Sequence, residues 1–78
     1  MNRKLKLIWD FRGPTSQKTA EHHCIHLKEF ATIEKLHYYE VDLTIVSKMH
    51  SIAFITVDEV DMKIYRNALK PHRGQLAE

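Results

Sequence analysis

The sequence has few of the residues that mark specialised classes of protein. Its 78 residues include one cysteine, two prolines and two glycines. A lone Cys24 cannot form an internal disulfide, which favours a reducing compartment. Residues 1–6 lack the apolar core of a secretory signal, and no apolar run approaches the roughly 20 residues that cross a bilayer. The sequence therefore predicts a cytoplasmic protein without a membrane partner.

An excess of charge of one sign is also missing. Twelve Lys and Arg residues against ten Asp and Glu residues give a formal net charge of +2, and the two signs are interspersed. This balance predicts that the protein does not bind nucleic acid. A chain of this length buries only about 60–65% of its unfolded surface. We therefore expect one domain over residues 1–78, with a marginal core that a second subunit would stabilise.

Apolar patterning predicts three strands. Residues 5–11 alternate apolar and polar side chains, and Gly13 and Pro14 end this first strand. Ile8 is an apolar exception on the polar side, which indicates that this side is covered too. Residues 38–45 alternate in the same way and predict a second strand. The continuous apolar run over residues 51–57 predicts a third strand that is buried on both faces.

Helical spacing predicts two helices. The first runs from about Ser16 to Leu36, and its inward stripe consists of Ala20, Cys24, Leu27 and Ala31. The second follows a cap at Asp58 and continues to about Leu69. Its expected inward residues are Val60, Ile64 and Ala68, with Tyr65 as a further candidate. Residues 72–78 are expected to form a tail.

The predicted element order is β-α-β-β-α, and the predicted class is α+β. This order is a split βαβ arrangement of the ferredoxin-like type without a fourth strand, with an ordered core at about residues 4–70. A right-handed crossover places both helices on one face of a sheet with strand order 1-3-2. The other face would expose Ile8, Thr44 and Val46, and the first strand would keep a free edge. Both features predict a homodimer, through the open face or through that edge.

In this element order, and in the His-Cys-Ile-His-Leu segment of its first helix (residues 23–27), the chain resembles the dimeric α+β barrel group. The resemblance covers roughly residues 4–70. Members such as heme-degrading and quinone-forming monooxygenases and muconolactone isomerases pack two ferredoxin-like subunits sheet to sheet. Several place a histidine of the first helix beside a ligand cavity. The resemblance implies a homodimer but carries no catalytic residue over to this sequence.

The junction between the first strand and the first helix is the candidate ligand site. Backbone N–H groups at a helix N-terminus favour anions, and the guanidinium of Arg12 and the hydroxyls at positions 15 and 16 would add to them. Such a site would take a small anionic ligand. The full candidate set is Asp10, Arg12, Thr15, Ser16, His22 and His23. In the alternative, Thr15 or Ser16 only caps the helix, and Arg12 pairs with a carboxylate such as Asp10.

The histidines of the first helix form a second constellation. His22 and His26 lie four residues apart and share a flank with Glu29, a spacing that can present two ligands to one metal ion. A zinc site needs three or four ligands, and the others would have to come from Glu29, Asp10 or His50. The segment does not match the His-Glu-x-x-His motif. We therefore predict no metal and no cofactor, with the pair as solvated helix residues.

Two functional hypotheses follow from the sequence, and it leaves open whether the protein is an enzyme. The first is a non-enzymatic homodimeric interaction or small-ligand-binding domain, favoured by the marginal size and by the absence of a complete catalytic motif. The second is a small enzyme of the dimeric-barrel type. In that case His23 or His26 would be the general base and Asp10 its orienting carboxylate.

Overall fold

The computed structural model describes residues 3–77 and contains four strands and two helices. In chain order they are β1 (Lys4–Arg12), α1 (Ser16–Ile33), β2 (Glu40–Ser47), β3 (His50–Asp58), α2 (Glu59–Leu69) and β4 (Arg73–Leu76). The α+β class predicted from the sequence is confirmed. Helix α1 ends three residues before the predicted Leu36, and Lys35 beyond it adopts a left-handed backbone conformation with φ of 55°.

The four strands form one antiparallel sheet with the order β2-β3-β1-β4. This order differs from the predicted three-strand order 1-3-2, because residues 73–76 form a strand instead of a tail. Strand β4 pairs with β1 from Leu5 opposite Leu76 to Ile8 opposite Arg73. The edge of β1 is therefore closed, and the prediction that it is free is wrong. The segment 73–76 has a single large apolar side chain, so it gives no periodic signal.

Both helices pack on the same face of the sheet. Apolar side chains of β1 and β3, including Leu7, Trp9 and Ile55, form one cluster with Leu27 of α1 and Tyr65 of α2. The indole N–H of Trp9 donates a hydrogen bond of 2.9 Å to the carbonyl oxygen of Leu69, which fixes the end of α2 over β1. The predicted inward stripe of α1 is confirmed, since Ala20, Cys24, Leu27 and Ala31 are all buried.

In the part of the chain that the structure describes, the opposite face of the sheet carries no helix, and we call it the open face. Its residues are Lys4, Lys6, Ile8, Asp10 and Arg12 of β1, Glu40, Asp42 and Thr44 of β2, His50, Ile52, Phe54, Thr56 and Asp58 of β3, and Arg73 and Gln75 of β4.

The centre of the open face is not bare, contrary to the sequence prediction. Ile8, Ile52 and Phe54 form a cluster with exposures of only 2%, 9% and 6%. The Lys6 side chain covers part of this cluster, since its ammonium group lies 3.9 Å from the centroid of the Phe54 ring. Val46, beside a register irregularity between Ile45 and Ser47 in β2, is 57% exposed, as predicted.

Helix α2 presents a different face to the sheet from the one predicted. Val60 and Ile64 are 69% and 45% exposed, whereas Tyr65 is fully buried. The helix carries two apolar stripes, and the inward one contains Met62, Tyr65 and Leu69. The aromatic ring decides between the stripes because it buries more apolar area, and it packs against Phe30 at 5.6 Å between centroids. Spacing alone does not distinguish the two stripes.

This orientation of α2 predicts unequal effects of two neighbouring substitutions. Tyr65→Ala removes a fully buried ring and should lower the free energy of unfolding by about 3–5 kcal/mol. Ile64→Ala truncates an exposed side chain and should cost less than about 1 kcal/mol. Urea denaturation followed by circular dichroism measures both. Equal losses in the two variants would mean that α2 is rotated relative to the structure.

Candidate functional site

The junction between β1 and α1 is a tight loop attached to the β2–β3 hairpin. Gly13 adopts a φ of 113°, and its N–H donates a hydrogen bond of 2.7 Å to the carbonyl oxygen of Met49. Thr15 occupies the N-cap position without a side-chain capping bond. Ser16 is buried, and its hydroxyl donates to that of Ser51 at 3.4 Å. Of the two predicted hydroxyls, only that of Thr15 faces solvent. Of the groups predicted to bind an anion at this junction, the side chains of Arg12 and Thr15 are exposed.

Asp10 lies on the open face, at the centre of a charged network. Its carboxylate accepts two hydrogen bonds from the guanidinium of Arg73, at 3.1 and 3.2 Å. It also accepts one of 2.9 Å from Nε2 of His50. The backbone N–H of Asp10 donates to Nδ1 of His72 at 2.8 Å. We call Asp10, His50 and Arg73 the charged triad.

The electrostatics of the charged triad favour an ionised Asp10. Hydrogen bonding to Arg73 holds the pKa of the Asp10 carboxyl below its usual value, partial burial opposes this shift, and His50 adds to it. The side chains of Asp10 and His50 are only 19% and 16% exposed, whereas that of Arg73 is 51% exposed. The triad therefore joins an anion held within the sheet to a cation that still reaches solvent.

His23 lies on the helix-covered face of the sheet. Its ring packs against Trp9 at 4.6 Å and Phe11 at 5.4 Å between centroids. Its Nε2 atom is buried and has no hydrogen-bond partner among residues 3–77. Burial, with smaller contributions from His26 and His72, lowers the pKa of His23. The imidazole is therefore neutral near pH 7.

The structure separates His23 from Asp10. Successive residues of a strand point to opposite faces, so Trp9 and Phe11 contact His23 while Asp10 points away from it. The carboxylate of Asp10 orients His50 of β3 instead. Asp10 is therefore not placed to orient His23 as a general base.

The other residues of the histidine constellation lie on the outer side of α1. His22 and His26 are exposed, and Nδ1 of His26 lies 3.4 Å from a carboxylate oxygen of Glu29. Across residues 3–77, no group of three or more His, Cys, Asp or Glu side chains has an arrangement that could hold a metal ion. Cys24 is buried, and burial raises the pKa of its thiol, which disfavours the reactive thiolate.

Two residues of the site were missed by the sequence analysis. Arg73 donates two hydrogen bonds to the Asp10 carboxylate, and His72 accepts one from the Asp10 N–H, yet both belong to the segment predicted as a tail. His50 was considered only as a metal ligand. The available signal was Asp10 itself, because a carboxylate that is largely removed from water needs a cationic partner.

Two of the surface depressions formed by residues 3–77 lie on opposite faces of the sheet, away from the junction. One, of about 620 Å³, opens on the open face and is polar, with Lys4, Lys6 and Glu40 in its lining. The other, of about 490 Å³, is mostly apolar and lies between α2, β1 and β4. None of the six residues of the predicted ligand site lines either depression.

Fold and site together define a small α+β domain with a charged triad on an open sheet face. No protein-family model, curated protein or solved structure matches the chain. Neither helix of the described residues is long and apolar enough to span a membrane.

The lowered pKa of Asp10 predicts a pH-dependent contribution to stability. The contribution is present above the unfolded pKa of about 3.9 and disappears as the pH falls through the lower folded value. Asp10→Asn should therefore lower the free energy of unfolding at pH 7 by on the order of 1 kcal/mol. This deficit should shrink in urea titrations below about pH 4. Glu34→Gln, which removes an exposed negative charge, is the matched control. A deficit that stays constant down to about pH 2 would contradict the triad.

The environment of His23 predicts that removal of its ring does not lower the free energy of unfolding, unlike the removal of the Asp10 charge. Because its folded pKa is lowered, His23 favours the folded state less and less as the pH falls below the unfolded value of about 6.5. His23→Leu also removes a buried nitrogen without a partner, so the variant should be at least as stable as the parent at pH 7. Its advantage should grow towards pH 5 in thermal melts. His22→Leu, at an exposed position, is the control. A large loss of stability at pH 7 would show that Nε2 has a partner.

Proposed function

We propose that the protein is a homodimeric interaction domain that pairs with a second copy of itself through the open face. We also infer that its fold is ferredoxin-like, because the order β-α-β-β-α-β and the sheet order 4-1-3-2 are those of a split βαβ unit with its fourth strand in place. The other predicted dimer contact, the edge of β1, is ruled out since β4 occupies it. Of the two predicted contacts, the open face therefore remains as the proposed dimer interface.

The distribution of charge across the open face is the main observation that supports the proposed dimer. The outer strand β2 contributes the acidic side chains of Glu40 and Asp42, and the opposite side of the sheet contributes the cations of Lys6 and Arg73. The apolar cluster around Phe54 lies between them. A surface that is negative on one side, apolar in the middle and positive on the other complements itself after a half-turn.

The strand register indicates which residues of the two copies would face each other. Asp42, Phe54, Ile8 and Arg73 occupy one row across the four strands. We place a two-fold axis between the two packed sheets, parallel to the strands and above the space between β3 and β1. This axis reverses the order of the row in the partner. Asp42 then faces Arg73 of the second copy, and Phe54 faces its Ile8. Packed sheets deviate from this ideal alignment by about 30°, which long side chains accommodate.

The neighbouring row supports the same arrangement. It contains Glu40, Thr56, Lys6 and Gln75, so the same axis sets Glu40 over Gln75 of the partner and close to its Lys6. Contacts of this kind are isologous, and each is made twice in a dimer. Mixed charge on this face and the formal net charge of +2 also support the prediction that nucleic acid is not a partner. The lone Cys24 supports a cytoplasmic location.

A small enzyme remains the second candidate, with a different base from those predicted. His50 is held by the ionised Asp10, an arrangement that fixes the tautomer and orientation of an imidazole. His26 is exposed beside Glu29, and His23 is enclosed by aromatic rings, so His50 is the better placed histidine. We favour the interaction domain because no side-chain nucleophile among residues 3–77 is hydrogen-bonded to His50.

Charge reversal tests the proposed dimer. The parent protein should have the mass of a dimer at micromolar concentrations in sedimentation equilibrium. Glu40→Lys places a cation against Lys6 of the partner at two symmetric positions, and the dissociation constant should rise about tenfold or more. Gln75→Glu supplies a carboxylate opposite the new lysine, so the double variant should recover most of the loss.

The control is Glu34→Lys, which makes the same charge change just beyond α1, away from the open face. It should leave the dissociation constant unchanged. A monomeric parent protein, or equal weakening by Glu34→Lys and Glu40→Lys, would contradict assembly through this face.

A further inference from the structure

We propose that the groove between α2 and β4 binds a monocarboxylate with a hydrocarbon body, such as a medium-chain fatty acid. The groove lies between Leu5 and Leu7 of β1, Met62 and Arg66 of α2, and Gly74 and Leu76 of β4, and Pro71, Arg73 and Gln75 complete its lining. This inference does not depend on the proposed dimer. The groove lies on the helix-covered side of the sheet, so a partner on the open face leaves it accessible.

The groove exists because α2 covers only part of the sheet. The helix packs on β1 and β3, and no Cα atom of α2 lies within 8 Å of a Cα atom of β4. Gly74 is the β4 residue opposite Leu7, and it contributes no side chain to fill the gap. The resulting space of about 490 Å³ falls within the range of about 300–1,000 Å³ that is typical of small-molecule sites.

The walls of the groove favour a hydrocarbon. Leu7 forms the buried floor, Leu5 and Met62 beside it are partly buried, and Leu76 is 56% exposed. Apolar surface of this kind gains stability when a hydrocarbon displaces water from it.

The charge at the groove favours a single carboxylate. Arg66 lies in the lining and has no ion-pair partner among residues 3–77. The guanidinium of Arg73 points to the open face and is bound by Asp10, so it does not add a second positive charge. Among residues 3–77, no acidic side chain lines the groove. One available guanidinium beside an apolar wall complements one anionic head group on an apolar body.

The test uses sodium decanoate, below its micellar concentration, as the probe and 1-decanol as the uncharged analogue. Titration of the ¹⁵N-labelled protein should produce saturable amide shifts at Leu5, Gly74 and Leu76. Decanoate should bind about tenfold more tightly than decanol, because only the carboxylate pairs with Arg66. Absence of saturable shifts, or shifts spread over exposed residues such as Val60 and Ile45, overturns the proposal.

Two variants separate the head-group contact from the hydrocarbon contact. Arg66→Ala should weaken decanoate about tenfold and leave decanol unchanged, whereas Lys63→Ala, which removes an exposed cation of α2 outside the groove, should affect neither. Gly74→Ala adds a methyl group 3.5 Å from Cδ2 of Leu7, an ordinary contact that the fold tolerates, and should weaken both ligands by raising the floor. Equal loss of decanoate binding in Arg66→Ala and Lys63→Ala would mean that only general charge attraction is involved.

Discussion

The pairing of β4 with β1 is the contact on which the other features of this structure depend. It brings Arg73 to Asp10, so that a carboxylate near the centre of the sheet gains a cationic partner. It also closes the edge of β1 and places Gly74 where a side chain would fill the space beside α2. The pairing joins four residues to a strand that is already held by β3. A short backbone interaction thus creates both the charged triad and the groove.

The parts of the fold that were predictable from sequence are those whose burial is periodic. Alternation in β1, the continuous apolar run of β3 and the stripe of α1 each reflect a surface that must leave water. Strand β4 was not predictable, because its stability comes from backbone hydrogen bonds that any sequence can make. The orientation of α2 was ambiguous because two apolar stripes compete, and packing with Phe30 and the strands decides in favour of Tyr65.

The candidate site was predictable in part. Asp10 was recognised as a residue of interest, but its partners Arg73 and His72 lie beyond the segment that apolar periodicity resolves. Its separation from His23 could have been deduced, because the alternation that directs Trp9 into the core directs Asp10 to the other face. The central cluster of the open face was misjudged for another reason. Side-chain cover by Lys6 over Phe54 is a tertiary contact between strands, which residue spacing along the chain cannot reveal.

The two outer strands also determine how the sheet can grow. Strand β2 presents Glu40 and Asp42 and has an irregular register near Val46, while β4 is only four residues long. Short, charged or irregular outer strands are poor templates for adding another chain. Extension of the sheet into a continuous ribbon is therefore disfavoured at both ends. Edge-to-edge stacking of the kind that produces fibres is thereby disfavoured, and the face-to-face contact of the proposed dimer, which closes after two copies, is compatible with both outer strands.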